Sequence, residues 1–302
     1  MSSYRRCFAG LLALSFAGAC AGSGTSFHTD SLAGTWKTPD GSRLMRFEPD
    51  RLVVSEDGYL KALAILSRAP GTLVVRNGGL KEVWSIARQG DELRVVRGAE
   101  SLTYEPLKTR LVELDFSPLP LGTIGVLATE DIQTIQRELV ERRDLDQAVR
   151  KDPKRRAEMR EVDADNVRYL KALVQRVGWI DSERFGKPAS AAAVLMAKHS
   201  SDPRLMQAIL PAVEADVKRG ALSAELFSVL YDELQLTLGR KQRYGTQLQE
   251  DAAGPFVLPL EDAGRVDAIR AEIGLPPLTE YLQLASKYLY EGKEIRLRSD
   301  EE

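Results

Sequence analysis

Apolar and polar residues alternate in short runs between Leu32 and Leu114, a pattern typical of antiparallel strands. Tight-turn sequences such as Asp57-Gly58 and Asn77-Gly78 separate these runs. The pattern predicts nine strands, over residues 34–37, 44–47, 51–55, 60–66, 72–75, 82–87, 92–96, 102–104 and 110–114. Strands of this length and spacing favour a meander that curls into a small barrel or sandwich.

From Thr129 onward the apolar positions follow the period of amphipathic helices. Asp152-Pro153 and Asp202-Pro203 have the sequence of helix starts, and Gly220 and Gly239 that of helix stops. These signals predict helices that begin near residues 129, 153 and 203, and further helices over 189–199, 223–238, 264–273 and 277–290. We therefore predict an α+β protein in which a small antiparallel β-barrel or meander is followed by an all-α helical domain.

The first predicted strand carries the sequence Leu32-Ala33-Gly34-Thr35-Trp36, which resembles the Gly-x-Trp signature of lipocalin-like domains. That resemblance permits an apolar ligand inside the barrel without establishing one. The alternative is that Trp36 plugs the end of a small β-domain of another kind.

The N-terminus has the order of a secretory signal, with Arg5 and Arg6 before an apolar run and small residues after it. Cys20 follows directly, so the segment resembles bacterial lipoprotein signals, which implies cleavage before Cys20 and lipid on its thiol. The alternative is an ordinary signal peptidase site, Ala17-x-Ala19, which cuts the same bond and leaves Cys20 unmodified. Ala21 in place of an aspartate favours the outer membrane of a Gram-negative cell.

These signals together predict an exported protein anchored to the bacterial cell envelope by lipid on Cys20. The predicted organisation is a signal peptide at 1–19, a tether at 20–30, a β-domain at 31–115, a linker at 116–128, a helical domain at 129–290 and a polar tail at 291–302.

Composition narrows the range of partners. Cys7 and Cys20 are the only cysteines, so the processed chain has no pair for an internal disulfide. The net charge of −2 becomes −4 when Arg5 and Arg6 leave with the signal, which gives no general reason to bind nucleic acid. We therefore expect the membrane, and beyond it an envelope protein or a small ligand, as partners.

Several polar motifs punctuate the helical half. They are Asp146-Gln147-x-x-Arg150, Asp163-x-x-Asn166, Gly178-Trp179, His199 with Asp202-Pro203, Gln242-x-Tyr244-Gly245-Thr246-Gln247, Leu258-Pro259-Leu260-Glu261-Asp262 and Gly274-Leu275-x-x-Leu278-x-x-Tyr281-Leu282. In this order and spacing they resemble DUF6624, a bacterial domain family of unknown function. The resemblance covers residues 144–282 and implies a shared fold but no named activity.

Polar residues on inward helix faces are the candidates for a site, because burial of an unpaired polar group is costly. Asn166 shares a stripe with Leu170 and Leu173, for example. The ligand-binding candidates are Asp146, Gln147, Arg150, Asp163, Asn166, Gln242 and Thr246. The catalytic candidates are His199, Asp202, Tyr244 and Gln247.

Each candidate also has a structural interpretation. His199 is either a general base or ligand-binding group, or a residue that closes a helix C-terminus. Gly245 and Thr246 either let the backbone approach a bound group or make a turn. Asp146, Arg150, Asp163 and Asp232 can instead form an ionic network between helices.

The mature chain offers one histidine outside the tether and no second thiol, so we expect no metal site, and we expect no cofactor. No sequence motif of a serine hydrolase, zinc protease, P-loop or dinucleotide site is present. A carboxylate pair for glycoside hydrolysis stays open. The favoured function is a ligand- or protein-binding envelope lipoprotein without catalysis. The alternative is a hydrolase-like enzyme that uses His199 with Asp202, Tyr244 and Gln247.

Overall fold

The structure is a computed structural model, which describes residues 32–298 except 57–58, 79, 108–113, 124 and 126. The predicted signal peptide, Cys20 and the tether lie outside the described residues, as do most of the predicted strand 110–114 and the end of the polar tail. The described chain divides into two compact units. One contains the β-domain up to Asp115 with Leu236–Arg240, and the other contains Phe116–Gln235 and the chain from Lys241.

The β-unit is a closed antiparallel barrel of eight strands in sequence order. The strands are β1 (Gly34–Lys37), β2 (Arg43–Phe47), β3 (Arg51–Glu56), β4 (Tyr59–Ala69), β5 (Thr72–Asn77), β6 (Leu80–Gln89), β7 (Glu92–Arg97) and β8 (Glu100–Leu107). Each pairs with its successor, and β8 closes the ring on β1 with Thr35 opposite Leu107. A bulge between Ile65 and Ser67 interrupts the long β4. The predicted β-barrel is confirmed.

The barrel interior is packed with large apolar side chains. The cluster includes Trp36, Trp84 and Tyr104, and all of its fully buried members are at most 6% exposed. Exposure this low means that these described side chains pack against one another and do not surround a ligand-sized cavity. Trp36 is fixed by its indole, which donates to the Leu32 carbonyl at 3.1 Å. The barrel interior is therefore a packed hydrophobic core, and it gives no support for an apolar ligand inside the barrel.

The second unit is mainly helical. Its elements are α1 (Thr129–Lys151), a 3-10 helix (Pro153–Glu158), α2 (Met159–Val177), α3 (Ser182–Ser200), α4 (Pro203–Lys218), α5 (Ala224–Thr237), β9 (Leu248–Asp251), β10 (Gly254–Val257), α6 (Val266–Ala271), α7 (Leu278–Leu289) and β11 (Arg296–Leu297). The barrel followed by these helices confirms the predicted α+β class. Among the helices described between residues 32 and 298, none combines the length and apolarity that a membrane span requires.

Two parts of this unit differ from the sequence prediction. Helix α3 begins at Ser182 rather than Ala189, because the Asp181 carboxylate caps it by accepting the Glu183 and Arg184 amides. A kink at Gly186 interrupts the period and hid this first turn. No element was predicted between residues 241 and 259, but this stretch contains β9 and β10, the edge and central strands of a three-stranded sheet ordered β11-β10-β9.

The predicted linker lies along the helices. Its Leu119 amide donates to the Arg204 carbonyl at 3.0 Å, and the Phe116 carbonyl accepts from Gln207 at 2.6 Å. Gly122 approaches α2 so closely that a Cβ atom would lie 2.3 Å from the Gln175 carbonyl oxygen. The connector is therefore part of the packed helical unit.

Candidate functional site

A buried polar cluster forms where α1, α2 and the end of α3 meet; we call it the Arg150 cluster, comprising Asp146, Arg150, Asp163 and His199. On α1, Asp146 and Arg150 are four residues apart and share one helix face. Asp163 comes from the second turn of α2, and His199 from the last turn of α3. Exposure of the four side chains is 2% for Asp146, 5% for Arg150, 16% for Asp163 and 4% for His199.

The Arg150 guanidinium lies at the centre of this cluster. Its Nε donates to Asp146 Oδ1 at 3.0 Å, and its Nη2 contacts both Asp146 and Asp163. His199 Nδ1 lies 2.9 Å from the Asp146 carboxylate and 3.1 Å from Arg150 Nε. The Asp146 carboxylate can only accept, so its contact with His199 places the imidazole proton on Nδ1. Arg150 Nε can only donate and therefore cannot hydrogen-bond to Nδ1 in that tautomer. Gln147 Nε2 donates a further hydrogen bond to Asp146 Oδ2 at 2.8 Å.

The environment shifts three pKa values in the cluster. Burial lowers the pKa of His199 to about 4, against the opposing effect of its Asp146 bond, so the imidazole is neutral at pH 7. Burial alone would raise the pKa of Asp146, but the His199 bond and the Arg150 charge outweigh it and lower that pKa to about 2. Burial raises the pKa of Asp163 to about 6, because the neighbouring Asp146 charge adds to burial and offsets part of the Arg150 attraction.

The cluster also has the spacing of a cation site. Asp146, Asp163 and His199 bring ligand atoms within 4.8 Å of one another, close enough to hold a metal ion. The Arg150 guanidinium contacts all three of these residues, so a fixed cation already neutralises the carboxylates at that position. A metal ion would have to displace Arg150, and nothing in the cluster compensates for that loss.

Asn166 lies one turn beyond Asp163 on α2 and is 4% exposed. Its Oδ1 accepts from Arg142 Nη1 at 3.3 Å. Arg142 is itself held by Glu138 and Asp165 and lies over the ring of Tyr169, 4.2 Å from the ring centroid. The Asn166 Nδ2 donor is buried and has no acceptor among the described residues. Sequence analysis required partners for this amide, and the structure provides one for its oxygen only.

The Tyr244-Gly245-Thr246-Gln247 segment forms a second group around a different carboxylate, Asp232 on α5. Asp232 is 0% exposed and accepts the backbone amides of Arg243, Tyr244 and Thr246 at 2.8, 3.0 and 3.0 Å. The Thr246 hydroxyl donates a fourth bond at 2.8 Å. Burial raises the pKa of Asp232, and these four bonds oppose the rise. We call this segment with Asp232 the Asp232 loop.

Other buried side chains complete the Asp232 loop. Gln242 Nε2 donates to the Gln247 and Leu258 carbonyls at 3.0 and 2.7 Å, and its Oε1 accepts the Gln247 amide at 2.8 Å. Arg270 donates to the Tyr244 carbonyl at 2.5 Å, and the Tyr281 hydroxyl to that of Thr246 at 2.9 Å. These hydrogen bonds to backbone groups, to the Thr246 hydroxyl and from the Gln247 amide hold the shape of the loop.

Gly245 has φ +74°, in the left-handed region, and an added Cβ would lie 2.8 Å from a Leu278 methyl group. The glycine is therefore required by a turn packed against α7, which is the structural alternative that the sequence left open.

The candidates thus fall into separate groups. Asp146, Gln147, Arg150, Asp163 and His199 come together, with Asn166 adjacent, whereas Gln242, Tyr244, Thr246 and Gln247 surround Asp232. Asp202 belongs to neither group: it caps α4 by accepting the Arg204 amide at 2.9 Å and pairs with Lys171 at 2.7 Å. The contacts described here join His199 to Asp146 and Arg150, and Tyr244 to Asp232.

Arg142 was not among the residues predicted from the sequence, and Asp232 was predicted only as a possible member of an ionic network. Arg142, Asp146 and Arg150 repeat at intervals of four, which places them on one face of α1. That spacing could have identified Arg142. Asp232 could have been recognised as a carboxylate within a helix whose neighbours are largely apolar and buried.

Comparison with known families gives one result that agrees with the motifs. A model described as a family of unknown function, DUF6624, matches residues 126–292, more than half of the chain. Comparisons with curated proteins and with solved structures gave no match.

Proposed function

The chain belongs to the DUF6624 family, whose function is unknown, and we propose that it is an exported envelope lipoprotein that binds a ligand through the Arg150 cluster without catalysis. In this proposal the residues that bind the ligand lie in the helical unit, and the barrel is a structural domain with a packed interior. Lipid on Cys20 attaches the protein to the membrane, and the outer membrane is the proposed location.

The observation that supports binding is the graded burial of the Arg150 cluster. Asp146, Arg150 and His199 are at most 5% exposed, while Asp163 is 16% exposed. Asp163 is thus the member that a ligand can reach, and the other three hold it in place. A preorganised acceptor backed by buried side chains is a common feature of small-ligand sites.

The same burial argues against catalysis by His199. A general base must come within hydrogen-bond distance of the proton that it removes, directly or through one water. The His199 side chain is 4% exposed and its Nδ1 faces Asp146. On the other side of the alternative enzyme site, the Gln247 side-chain amide donates to the Val229 carbonyl and to the Thr246 hydroxyl, and Tyr244 is 5% exposed.

Native mass spectrometry of the full chain, purified from its own envelope in detergent, tests the binding proposal. We expect the wild type to retain a non-covalent small molecule and Asp163→Ala to lose it. The matched control is Asp165→Ala, which removes an exposed carboxylate two residues away on α2. Equal retention by Asp163→Ala, or no retained mass in the wild type, would contradict the proposal.

The location needs a separate experiment. Labelled palmitate should enter the wild type but not Cys20→Ser, and the variant should leave the membrane fraction. A Cys20→Ser protein that remains equally membrane-bound would remove the lipid anchor from the proposal while leaving the binding site untouched.

A catalytic alternative draws support from one contact, the 2.9 Å pairing of the Asp146 carboxylate with His199 Nδ1, which resembles the carboxylate that orients a catalytic histidine. It predicts turnover of chromogenic ester or glycoside substrates that disappears in His199→Ala. Activity lost in that variant but kept in Asp165→Ala would favour the enzyme. Absence of any such dependence on His199 would favour the binding module.

A further inference from the structure

The outer wall of the barrel exposes apolar side chains on neighbouring strands. Residues of a strand alternate between the two faces of a sheet, and Val74 and Val83 are each next to a core residue, so both face outward. They lie opposite each other in the pairing of β5 with β6, and Val83 is 61% exposed. Leu66, at the bulge of β4, is 40% exposed, and Val96 on β7 pairs with Ser85, two residues from Val83. We call the surface formed by Leu66, Val74, Val83 and Val96 the valine face.

Basic residues border the valine face. Arg76 and Lys81 lie opposite each other on β5 and β6, two residues beyond the paired valines, and Arg94 lies on β7. No outward position of β5 or β6 holds a carboxylate, and none of the three basic side chains forms an ion pair with a described residue. By contrast, other arginines of the barrel pair with glutamates at 2.5–2.7 Å, namely Arg43, Arg46, Arg51 and Arg97. The described chain therefore does not neutralise the positive charge beside the valine face.

The sequence places the barrel close to the proposed anchor. Residues 21–31 separate Cys20 from Leu32, where the described chain begins, so even a fully extended segment spans at most about 40 Å. Lipid on Cys20 would hold the barrel near the bilayer, where a high effective concentration allows a weak contact to form. Attraction to anionic lipid has to come from a local patch, because the net charge of the processed chain is −4.

We propose that the valine face docks the barrel on the surface of an anionic phospholipid bilayer. Leu66 and Val83 then lie at the boundary between headgroups and acyl chains, and the three basic residues bind headgroup phosphates. A second copy of the chain fits this surface less well, because two such faces would bring positive charges together. This inference rests on the proposed lipid anchor, which brings the barrel to the bilayer, and it adds a contact that orients the barrel there.

Vesicle flotation tests this contact without the anchor, on the processed chain that carries Cys20→Ser. We expect binding to vesicles of phosphatidylglycerol and phosphatidylethanolamine, and at least about tenfold weaker binding to phosphatidylcholine vesicles. Arg76→Gln/Lys81→Gln should weaken binding to the anionic vesicles about 25-fold, or about fivefold for each charge removed. The matched control, Arg168→Gln/Lys218→Gln, removes the same charge from exposed positions of the helical unit and should stay within about twofold.

A fluorescent label reports whether the valine face itself meets the lipid. The Cys20→Ser chain has no other cysteine after processing, so Val83→Cys accepts a single environment-sensitive fluorophore. Its emission should shift to the blue when anionic vesicles are added, because the label enters a less polar environment. The same label at Arg168→Cys should keep its emission unchanged.

Several results would overturn the inference: no binding to anionic vesicles, equal losses in the two double variants, or unshifted emission from the label at Val83→Cys. A dimer in analytical ultracentrifugation that Val83→Asp dissociates would also overturn it, because the face would then belong to a subunit interface. Palmitate labelling that fails while vesicles still bind would remove the anchor but keep the valine face. The reverse combination would overturn the valine face alone.

Discussion

The Arg150 cluster and the Asp232 loop each centre on a buried carboxylate, but the two carboxylates are satisfied in different ways. Asp232 accepts three backbone amides and one hydroxyl, all from a single chain segment. Among the described residues, the donors to Asp146 are the side chains of Arg150, His199 and Gln147. Backbone donors cannot change charge or rotate away, so the Asp232 arrangement fixes the chain path, whereas the Arg150 cluster contains groups that can titrate or move.

This contrast separates two motifs that the sequence offers alike as candidates for a site. Tyr-Gly-Thr-Gln is the more distinctive sequence, and its Tyr244 and Thr246 amides, the Thr246 hydroxyl and the Gln247 amide group are engaged in the architecture of the loop. The less distinctive pair Asp163 and Asn166 combines partial exposure with an unsatisfied donor. The more distinctive motif, Tyr-Gly-Thr-Gln, therefore serves the fold. The observations that favour ligand binding belong to Asp163 and Asn166.

Removal of the Asp232 carboxylate should cause the largest loss in the free energy of unfolding. Asp232→Ala would leave three buried amides without an acceptor, so we expect the free energy of unfolding to fall by about 4 kcal/mol or more. Urea denaturation measures this change. Asp202→Ala is the control, because Asp202 also accepts backbone amides but only as a helix cap worth about 1 kcal/mol. Equal losses in the two variants would contradict the assigned role of Asp232.

Replacement of Arg150 should be nearly as costly for a different reason. Arg150→Met would leave Asp146 and Asp163 buried without their shared cation, and we expect a loss of about 3–5 kcal/mol. The double variant Arg150→Met/Asp163→Leu removes one of the uncompensated charges and should recover part of that loss. Strict additivity of the two substitutions in denaturation experiments would show that the cluster is not a coupled network.

The elements that the sequence predicted best are those with local signals. All eight described barrel strands were predicted within a few residues, because alternation and turn residues such as Asn77-Gly78 are local. The bulge at Ile65 was not predicted, since it changes pairing without changing composition. Strands β9 to β11 were missed because they are only two to four residues long. Strands β9 and β10 pair locally, but β11 also depends on the distant pairing of Arg296 with Phe256.

The candidate site was predictable in its members but not in its grouping. Helix periodicity placed Asp163 and Asn166 on an inward face, which the structure agrees with. Whether His199 and Tyr244 share a site depends on where the end of α3 and the segment after α5 lie in the fold, and no local pattern carries that information. The separation of the two groups therefore had to come from the structure.

Substitution of Gly245 should destabilise the Asp232 loop less than loss of the Asp232 carboxylate does. Gly245→Ala places a side chain at φ +74° and 2.8 Å from Leu278, so we expect a loss of about 2–3 kcal/mol from backbone strain and displaced packing. Thermal or urea denaturation measures it. Gly220 is the control: its φ is +68° with nothing within 4 Å of the added Cβ, so Gly220→Ala reports the strain alone. A Gly245→Ala loss no larger than that of Gly220→Ala would contradict the close packing.

The smallest expected effect is a pH dependence confined to the Arg150 cluster. The pKa of His199 is lowered from 6.5 to about 4, so its contribution to stability is present above pH 6.5 and is lost as the pH falls toward 4. The pKa of Asp163 is raised from 3.8 to about 6, so its contribution is complete below pH 3.8 and is lost as the pH rises through 6. The two effects oppose each other between pH 4 and 6.

Single substitutions should expose these opposing slopes. In Asp163→Asn only the His199 effect remains, and stability should fall by about 1–2 kcal/mol between pH 6.5 and 4, relative to the wild type. In His199→Gln only the Asp163 effect remains, and stability should rise by a similar amount over the same range. Urea titrations at several pH values measure both slopes. If both variants followed the wild-type pH profile, the folded cluster would not shift the pKa of either group, which would contradict the assigned effect of burial on His199 and Asp163.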